Sequence, residues 1–287
     1  MALSGIRRPT LVPRIATYSC FNKQQKRYDC TRCRDMCPSG AISYEDRETI
    51  IDEDVCEGCH LCTGICLTSC IGSRDGFMTA SDTGGRKDSV GICCSRANKD
   101  QGNLFIPCIA SAPWELYAYL SYDGVLAIVT GDCNTCRYGA KEYVQTIYDK
   151  LERFWGERYP SRIWEIFDEH KDENPAEKHY SRREMIGMLN GGARKYTETA
   201  LGSGEEYLHS AEYRNVLLNE LKEGRKKNVW PELQIDKDAC TKCTVCEKIC
   251  LYDAMDVRED GVHHDGLLCI ECGLCTKCCP QKCISII

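Results

Sequence analysis

Along this chain of 287 residues, apolar positions gather in short runs, with one long amphipathic stretch near the centre. Ser89-Val90-Gly91-Ile92, Leu104-Phe105-Ile106 and Val125-Leu126-Ala127-Ile128-Val129 read as short buried strands, the last ending at Thr130-Gly131. Trp114 to Tyr122 predicts a helix between the second and third. From Gly139 to Trp155, apolar or aromatic residues at Tyr143, Val144, Ile147, Tyr148, Leu151 and Phe154–Trp155 define one helix face. Near the termini the runs shorten, and Ala41-Ile42-Ser43-Tyr44 predicts a strand of a small hairpin. Asp168 to Tyr180 is charged, contains Pro175 and reads as a solvated linker. Ser181-Arg182-Arg183-Glu184 opens a further helix with a capping box, which Gly191-Gly192 breaks. Glu205 to Leu221 reads as another amphipathic helix, and Glu223 to Asn228 as a polar hinge.

Strands alternating with helices over 88–140 predict a small open parallel sheet, whose carboxyl-end loops converge on one crevice. A cysteine follows each strand there: Cys93 and Cys94, then Cys108, then Cys133 and Cys136. At 43% hydrophobic residues the chain has material for a core, yet no stretch approaches the roughly 20 apolar residues of a membrane span. The start, MALSGIRRPTLVPRIATY, has an Arg7-Arg8 pair with no apolar region behind it, so no export signal is expected.

The 24 cysteines change the picture most, because sixteen fall into two blocks that repeat each other. Cys240, Cys243, Cys246, Cys250 and Cys269, Cys272, Cys275, Cys279 form two C-x2-C-x2-C-x3-C runs, with Pro280 behind the last. Cys56, Cys59, Cys62 and Cys66 form a third. Cys30, Cys33, Cys37 and Pro38 form a fourth that lacks its first member, since Arg27 stands in that place. Cys20 is the candidate replacement, with Phe21 to Asp29 as an inserted loop. An isoleucine lies five residues ahead in Ile15–Cys20, as in Ile51–Cys56 and Ile235–Cys240. The same 19-residue spacing separates Cys37 from Cys56 and Cys250 from Cys269.

Residues 14–75 and 233–287 resemble bacterial dicluster ferredoxins, in which such runs hold [4Fe–4S] clusters and each fourth cysteine crosses to the other cluster. The resemblance implies four clusters: Cys20, Cys30, Cys33 and Cys66; Cys56, Cys59, Cys62 and Cys37; Cys240, Cys243, Cys246 and Cys279; Cys269, Cys272, Cys275 and Cys250. A three-iron cluster or an outside ligand is the alternative to Cys20. Behind the fourth ligands the chain reads CPSGAI, CLTSCI, CLYDAM and CPQKCI, so Cys70 and Cys283 take the place of Ala41 and Ala254. Both read as small packing residues, as does Cys278.

The Cys93/Cys94 pair, Ile106-Pro107-Cys108 and Gly131-Asp132-Cys133-Asn134-Thr135-Cys136-Arg137-Tyr138 resemble the delta subunit family of methyl-viologen-reducing hydrogenases. That resemblance implies a [2Fe–2S] cluster on Cys108, Cys133, Cys136 and one of the pair. Cys93 is expected, because it directly follows Ile92 at the strand end. A fifth [4Fe–4S] cluster and a zinc ion, which four thiolates also suit, are the alternatives. His170, His179 and His209 are isolated, while His60 and His263-His264 read as structural. No nucleotide fingerprint, P-loop or Ser–His–Asp-like constellation is present.

The formal charge of −6 becomes more negative once clusters are bound, which disfavours nucleic acid as a partner. Arg27, Arg32, Arg34, Lys242, Lys248, Lys277 and Lys282 read as compensation near the clusters. The C-x2-C spacings argue against a secreted disulfide framework and for a reducing, anaerobic cytoplasm.

The expected fold class is therefore α+β, with two ferredoxin-like dicluster domains and a small α/β domain with helices between them. The expected boundaries are 1–80, 81–160, a helical linker over 161–232, and 233–287. The expected function is electron transfer within an anaerobic oxidoreductase complex. Its implied partners are catalytic and flavin-containing subunits: heterodisulfide-reductase-like, hydrogenase, or tungsten or molybdenum dehydrogenase. A reductase with a substrate-binding middle site, for example for disulfides, is the alternative.

Overall fold

A computed structural model describes residues 12–16, 20–26, 29–72, 89–97, 104–122, 124–168 and 233–286, which mix helix and strand. Arg27, His170, His179, His209 and the helices expected over 181–221 lie outside the described residues.

The N-terminal block is built from β1 (Arg14–Ile15), α1 (Phe21–Gln24), α2 (Arg32–Asp35), β2 (Ile42–Glu45), β3 (Glu48–Ile51), α3 (Leu61–Ile65) and β4 (Ile71–Gly72). β2 and β3 pair as an antiparallel hairpin, Ile42 opposite Ile51. β1 and β4 pair antiparallel, Ile15 opposite Ile71, so the ends of the block close on each other. The segment expected as a plain inserted loop after Cys20 carries the one-turn α1, with Cys20 at its N-cap.

The central unit is a four-stranded, all-parallel sheet of β5 (Ser89–Cys94), β6 (Leu104–Ile106), β7 (Val125–Thr130) and β8 (Ile163–Phe167), in the order β6-β5-β7-β8. The first strand sits inside, so the chain reverses direction across the sheet between β5 and β7. In open parallel sheets, ligands bind beside the carboxyl ends of strands at such a switch point. α4 (Trp114–Leu120) and α5 (Lys141–Trp155) pack on the sheet. α5 buries Val144, Ile147, Leu151, Phe154 and Trp155, as its apolar spacing predicts. Each such side chain contributes about 1.5–3 kcal/mol when fully buried. Phe154 meets Trp114 edge-on at 5.9 Å, and the Trp155 indole N–H donates to Ser121 Oγ at 3.0 Å, so its polar end is satisfied inside the core.

β8 departs from the helical linker expected over 161–232, within which residues 163–167 form a strand. It pairs with β7 in parallel register, from Leu126 opposite Ile163 to Thr130 opposite Phe167. α6 (Tyr159–Arg162) leads into it.

The C-terminal block repeats the first: β9 (Leu233–Ile235), α7 (Val245–Ile249), β10 (Met255–Arg258), β11 (Gly261–His264), α8 (Leu274–Cys278) and β12 (Ile284–Ile286). β10 and β11 form the hairpin, and β9 pairs with β12, Ile235 opposite Ile284.

Both blocks touch the central unit. A Cβ on Gly64 would lie 2.0 Å from the Ala110 carbonyl oxygen, so α3 approaches the turn at Ile109–Ser111 as only glycine allows. The Tyr143 hydroxyl donates to the Gly64 carbonyl at 2.8 Å, and Arg137 stands 3.6 Å from Glu57. Cys59 and Leu61 belong to the central apolar core, and Leu267 of the C-terminal block packs against it. Lys150 on α5 pairs with Glu271 at 2.6 Å.

Candidate metal centres

A local fold repeats four times around the cysteine runs. The residue three places after each fourth cysteine has a left-handed backbone: Gly40, Ser69, Asp253 and Lys282, with φ of 67°, 51°, 51° and 52°. Three of the four are not glycine, and side chains there cost roughly 1–2 kcal/mol each. The next residue, Ala41, Cys70, Ala254 or Cys283, is buried and its carbonyl accepts one hydrogen bond of fixed type. The donors are the N–H groups of Asp52, Ala16, Asp265 and Asp236 at 2.8, 2.7, 2.9 and 2.9 Å. Each donor lies four residues ahead of a first cysteine: Cys56, Cys20, Cys269 or Cys240. Cys20 thus stands where the other three runs hold their first cysteine.

The repeat is imperfect at the insertion. His60, Thr244 and Gly273 cap α3, α7 and α8 with left-handed backbone, while Thr31 caps α2 at φ −113°. Asp52, Asp236 and Asp265 each accept a backbone N–H two residues on through a carboxylate oxygen, and Ala16 cannot.

Three cavities gather cysteines from distant runs. One is lined by Cys20, Cys30, Cys33 and Cys66, with Cys70 beside them. A second is lined by Cys240, Cys243, Cys246 and Cys279, with Cys283 beside them. A third is lined by Cys250, Cys269, Cys272 and Cys275. Cys37, Cys56, Cys59 and Cys62 form a fourth group. Burial pushes the Cys62 thiol up, and the neighbouring sulfurs of Cys59, Cys33, Cys56 and Cys37 push the same way. Burial also raises Cys56 and Cys59, with Cys37 acting on both.

Cys70 and Cys283 each sit beside two members of a quartet. Hydrogen bonding with Cys70 is the largest influence on the thiols of Cys20 and Cys66, and it favours their anionic forms.

The middle site lies at the switch point of the parallel sheet. Cys94 ends β5, Cys108 follows β6, and Cys133 and Cys136 follow β7. The Cys108 thiol is pushed up to about 12, by burial first and then by the sulfurs of Cys136, Cys94 and Cys133. The loop is pinned by Asp132, which accepts from the Asn134 N–H at 2.8 Å and the Thr135 hydroxyl at 2.9 Å. Gly131 lets the chain pass Arg96, whose carbonyl oxygen would stand 2.5 Å from an added Cβ.

Here the structure differs from the expectation at one position. Cys94, not Cys93, faces Cys108, Cys133 and Cys136, and its Sγ accepts the Gly131 N–H at 3.4 Å. Successive strand residues point to opposite faces, so only one of the pair reaches the carboxyl-end crevice. Cys93 is wholly buried, and the charges acting on its thiol are those of Cys94 and Asp168.

Among the described residues, no three Cys, His, Asp or Glu side chains close on one point as ligands of a single ion do. No helix among them is long and apolar enough to cross a membrane. What fold and site define together is a mixed helix-and-strand chain whose many cysteines, partly in C-x2-C spacing, hint at metal-cluster binding. Compared with known proteins, the chain matches no family model, and no curated protein matches it.

Proposed function

We propose that this chain is a multi-centre iron–sulfur electron carrier that serves catalytic subunits in a larger redox complex. Four [4Fe–4S] clusters would be held by the quartets Cys20/Cys30/Cys33/Cys66, Cys37/Cys56/Cys59/Cys62, Cys240/Cys243/Cys246/Cys279 and Cys250/Cys269/Cys272/Cys275. A [2Fe–2S] cluster would be held by Cys94, Cys108, Cys133 and Cys136. When bound, such clusters supply one-electron transfer at potentials set by charge, hydrogen bonding and exposure. The terminal blocks resemble dicluster ferredoxins, and the central unit resembles the hydrogenase delta family.

The observation that carries the reading is that three cavities are each lined by one complete expected quartet, assembled from runs far apart in sequence. The donor set fits the group. Four sulfurs about 2.3 Å from one zinc would crowd together, whereas these thiols surround a space, as ligands of a polynuclear core do.

The residues around the quartets have separate tasks. Left-handed residues such as Ser69 and Lys282 turn backbone N–H groups toward the cysteines, where they favour anionic sulfur. Buried side chains such as Ile42, Ile71 and Ile284 exclude water. Glu57 and Arg137 hold the second quartet's loop against the middle site. Among the described residues Cys243 is the one exposed cysteine, and the Asn134-Thr135 turn of the middle site is also exposed. Electrons would enter and leave at these two places, through docked catalytic and flavin-containing subunits in an anaerobic cytoplasm.

The test is a stoichiometric reduction of the anaerobically purified chain. It should accept about five electrons, one per cluster, and return them to a soluble dye. Steady turnover of a disulfide substrate by the isolated chain with a chemical reductant would favour a reductase instead.

A further inference from the structure

We propose that Arg32 is the electronic junction between the two cysteine blocks, a single cation that serves one cluster site of each. The inference rests on the cluster reading above and adds which sites communicate.

Arg32 lies inside the ligand loop Cys30-Thr31-Arg32-Cys33 and lines the cavity of Cys20, Cys30, Cys33 and Cys66. Its guanidinium reaches out of that block, and Nη2 donates to the Glu271 carbonyl oxygen at 3.4 Å. Glu271 belongs to the ligand loop Cys269-Ile270-Glu271-Cys272, and it lines the cavity of Cys250, Cys269, Cys272 and Cys275. Two ligand loops separated by 239 residues of sequence therefore meet across one side chain. The positive charge acts on sulfurs at both sites, Cys30 on one side and Cys272 on the other. The Glu271 backbone is left-handed, φ 54°, and its carboxylate is taken by Lys150, so its carbonyl is held at the junction from a second direction.

This geometry gives the relay an order. The middle site meets the Cys37/Cys56/Cys59/Cys62 quartet at Arg137–Glu57. That quartet shares its block with the Cys20/Cys30/Cys33/Cys66 quartet, which meets the Cys250/Cys269/Cys272/Cys275 quartet at Arg32. The exposed Cys243 quartet lies beyond. With clusters bound, one electron crossing at Arg32 would be given up by one cluster and taken up by the next, with no proton or bond transferred. A cation between two such sites favours the more negative, reduced form of both and raises both potentials.

The experiment compares Arg32→Gln and Arg32→Lys with the parent chain, all anaerobically prepared, by iron content and EPR-monitored redox titration. With iron unchanged, Arg32→Gln should lower the potentials of two cubane signals and leave the other two in place. Arg32→Lys, which keeps the cation, should return both toward the parent. A shift in one signal or none at full iron overturns the proposal, as does an equal shift in Lys and Gln. Should Arg32→Gln lose iron, the Lys variant decides: full iron and parent-like potentials support the junction, and iron loss there too overturns it. A parent chain that itself holds no iron would instead end the cluster reading.

Discussion

The sulfurs of Cys66 and Cys70 lie 3.6 Å apart, and at the matching place in the C-terminal block those of Cys279 and Cys283 lie 3.4 Å apart. Cys70 also lies within bonding reach of Cys20, so its single S–H can donate to either of two members of a quartet, one at a time, without completing it. The corresponding residues behind the other two runs are Ala41 and Ala254, which offer no side-chain donor; the Ala254 backbone N–H donates to the Cys250 sulfur at 3.3 Å.

Replacing Cys70 with Ala should therefore leave the iron content unchanged, whereas Cys20→Ser should cost about four iron atoms, one cubane. The Cys70→Ala chain should show one cubane at lower potential, because a donor to the ligand sulfurs has gone. Iron analysis and a redox titration check both; loss of a cubane from Cys70→Ala would show that Cys70 is a ligand.

At the middle site, Cys94→Ser should abolish the [2Fe–2S] EPR signal while the cubane signals persist, and Cys93→Ser should retain it. Cys133→Ser should behave like Cys94→Ser. The opposite outcome for the adjacent pair would place the sulfur of Cys93 in the crevice.

Gly64→Ala tests the seam between the N-terminal block and the central unit. Its new methyl group would meet the backbone carbonyl of Ala110, which cannot rotate away. A loss of roughly 1–3 kcal/mol is expected, as for other overpacked contacts. Thermal unfolding should show a lower midpoint. An unchanged midpoint would mean that this contact is absent in solution.

The cysteine architecture was legible because the cysteines recur at fixed spacing, and Ile15 and Ile235 mark matching strands that pair with Ile71 and Ile284. Cys20 keeps the matching place behind β1 despite the insertion, since the strand ahead of it is unchanged. Other features left a weaker trace. β8 is an edge strand with Trp164 and Phe167 exposed at 56% and 59%, so it lacks the continuous apolar run that marks a buried parallel strand. The choice of Cys94 over Cys93 depends on where β5 ends, and strand ends are decided by pairing with β6 and β7. The aspartates at 52, 236 and 265 were a readable signal, since each lies four residues ahead of a first cysteine.

The most direct measurement is the iron and acid-labile sulfide content of the folded, anaerobically purified chain. About 18 iron atoms per chain, from four cubanes and one binuclear centre, is the expected result. A value near 10 would remove a whole block, and a folded, colourless protein without iron would contradict the account.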